Sequence, residues 1–158
     1  MKKTIFILVL MLTVGMTASA QDSFAKQFKG KEGFSCVTIG KAAMKMMSSK
    51  GKLGSEGFTG KLKIGNFADK VDRLEIVAAS THEAAEILSK ECKKWIEKDN
   101  FESVIDVDEG GQQASIYART GGDQNIFLLL AQDKETSVII IYGTMTLEDL
   151  QGVMGGGQ

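Results

Sequence analysis

Residues 103–119 read SVIDVDEGGQQASIYAR, and the two glycines at their centre decide how the chain folds. Two glycines between alternating runs are a hairpin signal. The two-residue turn that matches strand twist needs positive φ at both central positions, which glycine supplies without strain. A turn at Gly110-Gly111 pairs Glu109 with Gln112, Val107 with Ala114, and Ile105 with Ile116. The four apolar residues then share one face. Asp106, Asp108, Gln113 and Ser115 take the other, with Val104 opposite Tyr117. A slip of one residue would exchange the two faces, so the register is specified.

Moving outward, two more strands follow at 124–131 and 137–144. The first strand of the hairpin begins near 103, so the spacing predicts a four-stranded meander. The runs IFLLLA (126–131) and VIIIY (138–142) are apolar on both faces. Such strands need cover on both sides. Thr146 with Asp149 predicts the capped start of a short helix, and the tail GVMGGGQ is expected to fray.

Upstream of the hairpin, residues 81–98 carry the clearest helix. Ser80 followed by Glu83 reads as a capping box. Ala84, Ala85, Leu88, Cys92, Trp95 and Ile96 make one broad apolar face, with Glu86, Lys90, Lys93 and Lys94 away from it, and Asn100 can end it. Before it, VDRLEIVAAS (71–80) is a strand with Leu74, Ile76 and Ala78 on one face and Arg73 and Glu75 on the other. KAAMKMM (41–47) has helical spacing, FSCVTI (34–39) is a strand, and DSFAKQFK (22–29) is a short helix with Phe24 and Phe28 on one side. Residues 48–61 read as a long Gly-, Ser- and Lys-rich loop; residues 61–70 are ambiguous, with Ile64, Phe67, Ala68 and Val71 spaced as a helical turn would space them.

The sum is an α+β fold: a mixed, mostly antiparallel sheet of about six strands that ends in the meander, with helices packed on one face. The first two strands are expected to be parallel, joined by a crossover. One long and several short helices cover one face easily and leave the second short of cover. Short helices, a second copy in a homodimer, or an apolar ligand would supply it, and Phe127, Leu129, Ile140 and Tyr142 are the candidate interaction face.

The N-terminus reads MKKTIFILVLMLTVGMTASA (1–20): two lysines, an apolar run and a small-residue end, the order of a secretory signal peptide. The apolar run is short of the ~20 residues that span a bilayer. Cleavage after Ala20 leaves a single domain, 21–158, with a flexible Gly-rich tail. It takes the basic count from 19 to 17 against 20 acidic residues, a formal charge of −3. The expected product is periplasmic or secreted and is not a lipoprotein, because Gln21 rather than cysteine opens the mature chain. There is no proline. The composition excludes a transmembrane segment, a basic nucleic-acid binder and a disulfide-dense mini-domain. Cys36 and Cys92 form either one disulfide or two separate buried thiols; without Cys-x-x-Cys a redox pair is not expected.

Catalytic groups are sparse. His82, the lone histidine, falls in the first turn of the long helix, where a surface role fits best. One histidine and two distant cysteines do not make a transition-metal site. Asp106, Asp108 and Glu109 before Gly110 lack the remaining ligands of a calcium loop, and Met44, Met46 and Met47 read as core filler rather than copper ligands. Gly51, Gly54, Gly57 and Gly60 do not form a phosphate loop, since Ser55 and Leu62 break the pattern. No cofactor is expected.

The run FSCVTIGKAAMKMM, the long loop, VDRLEIV, the helix through Trp95, DVDEGGQQASIYAR and NIFLLLAQDKETSVIIIYGTMTLEDL together resemble domain-of-unknown-function family 4252, over about residues 22–151. The resemblance implies exported proteins of the Bacteroidota, in a Gram-negative envelope. Members are often encoded near extracytoplasmic sigma factors and their anti-sigma partners, which implies envelope signalling or stress. Many members are lipoproteins, from which Gln21 departs, and no active-site residues are established. The function expected is therefore a non-enzymatic binding or interaction module with an unknown protein or apolar ligand as partner. The alternatives are a self-associating structural protein or an enzyme that uses carboxylates such as Asp106 and Asp108.

Overall fold

The computed structural model describes residues 23–50 and 68–154, with the backbone alone at 47–50 and 152–154. The signal-like residues 1–20, Asp22, most of the Gly-rich loop, and the end of the tail lie outside the described residues.

Six strands form one sheet: β1 (Phe34–Gly40), β2 (Val71–Ala79), β3 (Glu102–Glu109), β4 (Gln112–Arg119), β5 (Asn125–Gln132) and β6 (Thr136–Gly143). Their order is β1-β2-β6-β5-β4-β3, and every neighbouring pair is antiparallel. The meander is present with the expected hairpin register: Glu109 faces Gln112, Val107 faces Ala114 and Ile105 faces Ile116. Gly110 and Gly111 sit at φ 58° and 88°, as a turn of that hand requires. One detail departs from the alternation. The ladder shifts between Ser103 and Ile105, so Ser103 rather than Val104 faces Tyr117. Val104 packs instead with the apolar side of the sheet.

The first two strands are antiparallel, not parallel: Phe34 faces Ala79 and Gly40 faces Arg73. The connection leaves β1 through helix α1 (Lys41–Lys50) and re-enters through a short 3-10 helix at Ala68–Lys70, at the same end of the sheet. A long connection permits either direction, and spacing alone did not choose. The crossover belongs to α2 (His82–Lys98), which carries the chain from central β2 to the far edge at β3.

The helices cover both faces rather than one. On the first face α2 and the 3-10 helix Ala25–Phe28 enclose Val77, Leu128, Val138, Ile140 and Tyr142. On the second, α1, Ala68 and the C-terminal helix α3 (Leu147–Met154) enclose Leu74, Phe127, Ile141 and Met145. The strands with two apolar faces therefore receive their cover from the chain's own short helices.

Local sequence explains each helix. Ala84, Leu88 and Cys92 recur every four residues and are buried along α2. Its cap is Thr81, one residue beyond the expected Ser80: the Thr81 side chain accepts from the Ala84 N–H at 3.1 Å. Ser80 is drawn away to donate to the Gly33 carbonyl. Asn100, at φ 53°, ends the helix. For α3 the expected box is formed, with the Thr146 N–H donating to Asp149 at 2.8 Å and the Asp149 N–H returning to the Thr146 hydroxyl at 3.4 Å.

Candidate functional site

The residues singled out from the sequence do not converge. Phe127 and Leu129 point to the second face of the sheet, and Ile140 and Tyr142 to the first. Phe127, Ile140 and Tyr142 are buried beneath the chain's own helices, so the four form no shared interaction face. On the second face, Leu129 and Ile139 are half-buried and Val37 at the β1 edge is exposed.

Cys36 and Cys92 are both free thiols. Cys92 is fully buried under α2, and loss of solvation pushes its pKa to about 12. Cys36 lies on β1 and donates weakly to the Ala25 carbonyl at 3.7 Å. Partial burial, and secondarily the Glu75 carboxylate, raise its pKa, opposed by Lys29. Asp106 and Asp108 are exposed on the edge strand and bonded to Ser115 and Gln113 of β4. Met44 is fully buried in the second core, while Met46 on the same helix is exposed. Among the described residues no cluster of three or more His, Cys, Asp or Glu could hold a metal ion, and no helix is long and apolar enough to cross a membrane.

One polar cluster is interior. Glu75 of β2 is fully buried. Its Oε2 accepts the Ala25 N–H at 2.9 Å, and its Oε1 lies 3.0 Å from Arg73 Nε. That second contact is a charge contact without hydrogen-bond alignment. The Arg73 guanidinium stacks 4.1 Å above the Tyr142 ring. Burial, then the nearby Glu75 charge, push the Tyr142 hydroxyl pKa well up, against Arg73 and the Phe24 main chain. The cluster holds the N-terminal 3-10 helix on the sheet. Aromatic rings extend that anchorage: Phe34 meets Phe28, Phe28 meets Phe24, Phe24 stacks on Trp95 at 5.1 Å, and Trp95 meets Phe101.

A concave surface lies elsewhere, beside the first half of α2. A cleft of about 530 Å3 runs between that helix and the turn joining β5 to β6, a volume in the range of small-molecule sites. Ala79 and Thr136 form its floor, and Ala85, Ser89, Lys90 and Lys93 its helical wall. Asp133 and Lys134 face them from the turn. The Gln132 side-chain amide donates to Ser89 Oγ and ties the two walls together. His82 is 92% exposed at the rim, with Nε2 3.3 Å from Glu86 one turn along.

Most of the groups that could attack or accept here are occupied. Ser80 donates to Gly33, Thr81 caps the helix, and Ser89 receives Gln132. Glu86 is taken by His82, and Asp133 accepts from Gln112 at 3.2 Å. Lys90, Lys93 and Lys134, by contrast, have no ion-pair or hydrogen-bond partner among the described residues. Sequence reasoning placed Lys90 and Lys93 on the polar side of α2. It had no means to bring the β5–β6 turn against that side, because the turn is more than forty residues away along the chain.

An open, fully antiparallel α+β sheet with helices on both faces defines the class of fold. Within that class, residues 28–153 match the model of the domain of unknown function DUF4252, and the chain belongs to that family. No curated protein and no solved structure matches it.

Proposed function

We propose that the chain is an exported, non-enzymatic binding module of the bacterial envelope, and that the cleft beside α2 is its binding site. The observation that carries this reading is the state of the cleft's side chains. The hydroxyls of Ser80, Thr81 and Ser89 are committed to structural hydrogen bonds, and His82 is held at the rim by Glu86. Nucleophilic catalysis needs a hydroxyl or thiol bonded to a base, whereas binding needs a concave surface with free polar groups, which the three lysines supply. Asp106 and Asp108 lie outside the cleft lining, exposed on the edge strand, which favours binding over carboxylate catalysis. Self-association is disfavoured, since α1 and α3 cover Phe127 and Ile141 on the strands that suggested it and leave Leu129 and Ile139 only half-buried.

Export rests on the signal-like residues 1–20, and the envelope setting on the family resemblance. Cell fractionation with N-terminal sequencing tests the first part: a periplasmic or secreted product that begins at Gln21 supports it, and a cytoplasmic product that retains Met1 refutes it. A screen of small soluble compounds by amide chemical shifts tests the second. Binders that perturb residues 79–93 and 132–136 support the site, and binders that perturb only other surfaces refute it.

A further inference from the structure

We propose that the open edge of β1 takes an extended segment of another polypeptide as a seventh strand, a contact separate from the cleft. β1 ends the sheet on one side and β3 on the other. An edge strand presents unpaired main-chain donors and acceptors, and chains guard such edges with charges, proline or bulges. The β3 edge is guarded: Glu102, Asp106, Asp108 and Glu109 are exposed along it, and its ladder shifts between Ser103 and Ile105. β1, with the sequence FSCVTIG, carries no charge and no proline, and its register with β2 is unbroken.

The geometry of the edge selects its occupant. In an antiparallel ladder, alternate residues turn both main-chain groups toward the neighbouring strand or away from it. Just ahead of β1 the Gly33 carbonyl accepts the Ser80 N–H at 2.9 Å. Counting on by twos, Ser35, Val37 and Ile39 face β2, and Phe34, Cys36 and Thr38 face outward. The Phe34 N–H agrees, since it turns back to the Lys31 carbonyl at 3.3 Å. The main-chain groups of Cys36 and Thr38 have no partner among the described residues. Two donor–acceptor pairs about 6.6 Å apart along a line match an extended backbone. The guest residue between those pairs stands opposite Val37, where side chains approach most closely. Val37 shares the second face with Ile76 and is 46% exposed, so an apolar or β-branched guest residue would cover it. The charges that act on the Cys36 thiol, Glu75 and Lys29, are of opposite sign, so backbone pairing rather than charge governs the contact. β1 has seven residues, an edge about 23 Å long. One edge of that length falls short of the roughly 1,200 Å2 that a stable dimer buries, and it suits a linear segment of a partner.

The test is a titration of the isotopically labelled chain, residues 21–158, with an uncharged capped peptide, acetyl-GSTVTVTSG-amide, followed by amide chemical shifts and hydrogen exchange. In the free chain the Cys36 and Thr38 amides should exchange at least about tenfold faster than those of Val37 and Ile39. The peptide should shift residues 34–40 saturably, slow exchange at Cys36 and Thr38, and bind about equally at low and high salt. The same peptide N-methylated at its three central residues, which removes donors from both of its edges, should bind at least about tenfold more weakly. Thr38→Pro removes an outward N–H without touching the β2 ladder and should weaken binding by a similar factor. Val37→Lys places a guarding charge at an exposed position and should do the same in a chain that folds normally. No shifts at 34–40, or undiminished binding by Val37→Lys or of the methylated peptide, overturns the edge site. Shifts confined to residues 79–93 and 132–136 also overturn it while leaving the cleft reading intact. Protection of Cys36 and Thr38 that rises with protein concentration without peptide, with a doubled mass by light scattering, overturns the foreign segment in favour of a second copy.

Discussion

The main-chain N–H of Ala25 donates to Oε2 of Glu75 at 2.9 Å, across fifty positions of sequence and out of reach of solvent. Glu75 sits in the middle of central strand β2, where an apolar residue would ordinarily lie. It is retained there because one oxygen closes the N-terminal 3-10 helix and the other faces Arg73. A buried carboxylate without partners would cost several kcal/mol, so the network is coupled to the docking of Phe24, Ala25 and Phe28.

Replacing Glu75 separates its two roles. In Glu75→Ala the Ala25 N–H and the Arg73 guanidinium both lose their partner, and a loss of about 3 kcal/mol in unfolding free energy is expected, the low end for a broken buried pair because Arg73 is partly exposed. Glu75→Gln keeps an oxygen for Ala25 and removes the charge, so the expected loss is about 1 kcal/mol. Urea unfolding of the two variants measures the difference. Equal losses would assign the whole effect to the charge contact with Arg73.

The two thiols should differ in reactivity. Cys92 is fully buried, and its pKa of about 12 leaves almost no thiolate at pH 8. Cys36 is only half-buried, with a pKa raised by a smaller burial effect and by Glu75. Alkylation of the native protein at pH 8 should therefore modify Cys36 slowly and leave Cys92 intact until denaturant is added. Peptide mass spectrometry after timed quenching reads both sites. A mass two units low before reduction, with neither site alkylated, would mean the thiols pair.

The meander was legible in the sequence because its determinants are local. Gly110-Gly111 set the turn, and alternation fixed which of Val107, Ala114, Ile105 and Ile116 share a face. What stayed hidden was decided by contacts between distant segments. The direction of β1 depends on where a thirty-residue excursion returns. Cover for Phe127 and Ile141 depends on α1 and α3, which individually look too short to matter. Thr81 displaced Ser80 as the helix cap because the Gly33 carbonyl, from a loop far upstream, claimed the serine hydroxyl. The cleft was hidden for the same reason: the polar side of α2 was legible, but nothing local set the distant β5–β6 turn against it.

Gly143 marks a place where the backbone leaves no room. A Cβ there would fall on the Lys70 carbonyl and crowd the Val71 Cα. Beside it the Thr144 N–H donates to the same Lys70 carbonyl at 2.9 Å. The β2–β6 ladder shifts between Val71 and Arg73, so the close approach of the two chains is part of that irregularity. Gly143→Ala must push the strands apart or break the Thr144 bond. A loss on the order of 2 kcal/mol is expected, seen as a lower denaturation midpoint with an unchanged slope. Gly30→Ala is not an equivalent control, despite open space around it, because Gly30 has φ 78°. Gly40, with open space and no positive φ, is the control, and Gly40→Ala should change stability little.

Asp149 gives the acid limb of stability a specific origin. Lys70 Nζ reaches its carboxylate at 2.8 Å, and the Thr146 N–H donates to it at the same distance. The Lys70 hydrogen bond, followed by that from Thr146, holds the Asp149 pKa below the usual carboxylate range. Asp72 is lowered in the same direction, first by the Gln124 side chain and then by Lys41. A carboxylate whose pKa is lower folded than unfolded binds fewer protons in the native state. Its contribution is thus fully present above the unfolded pKa of about 3.9 and disappears as pH falls through the lower folded value. Asp149→Asn removes that linkage. Its stability deficit relative to the unmodified chain should be constant from pH 8 to about pH 5, then shrink steadily below pH 4. Thermal unfolding at fixed ionic strength across that range measures it. A deficit that stays constant down to pH 2.5 would show that Asp149 titrates alike in the folded and unfolded chain, and that Lys70 holds it in place without favouring its charged form.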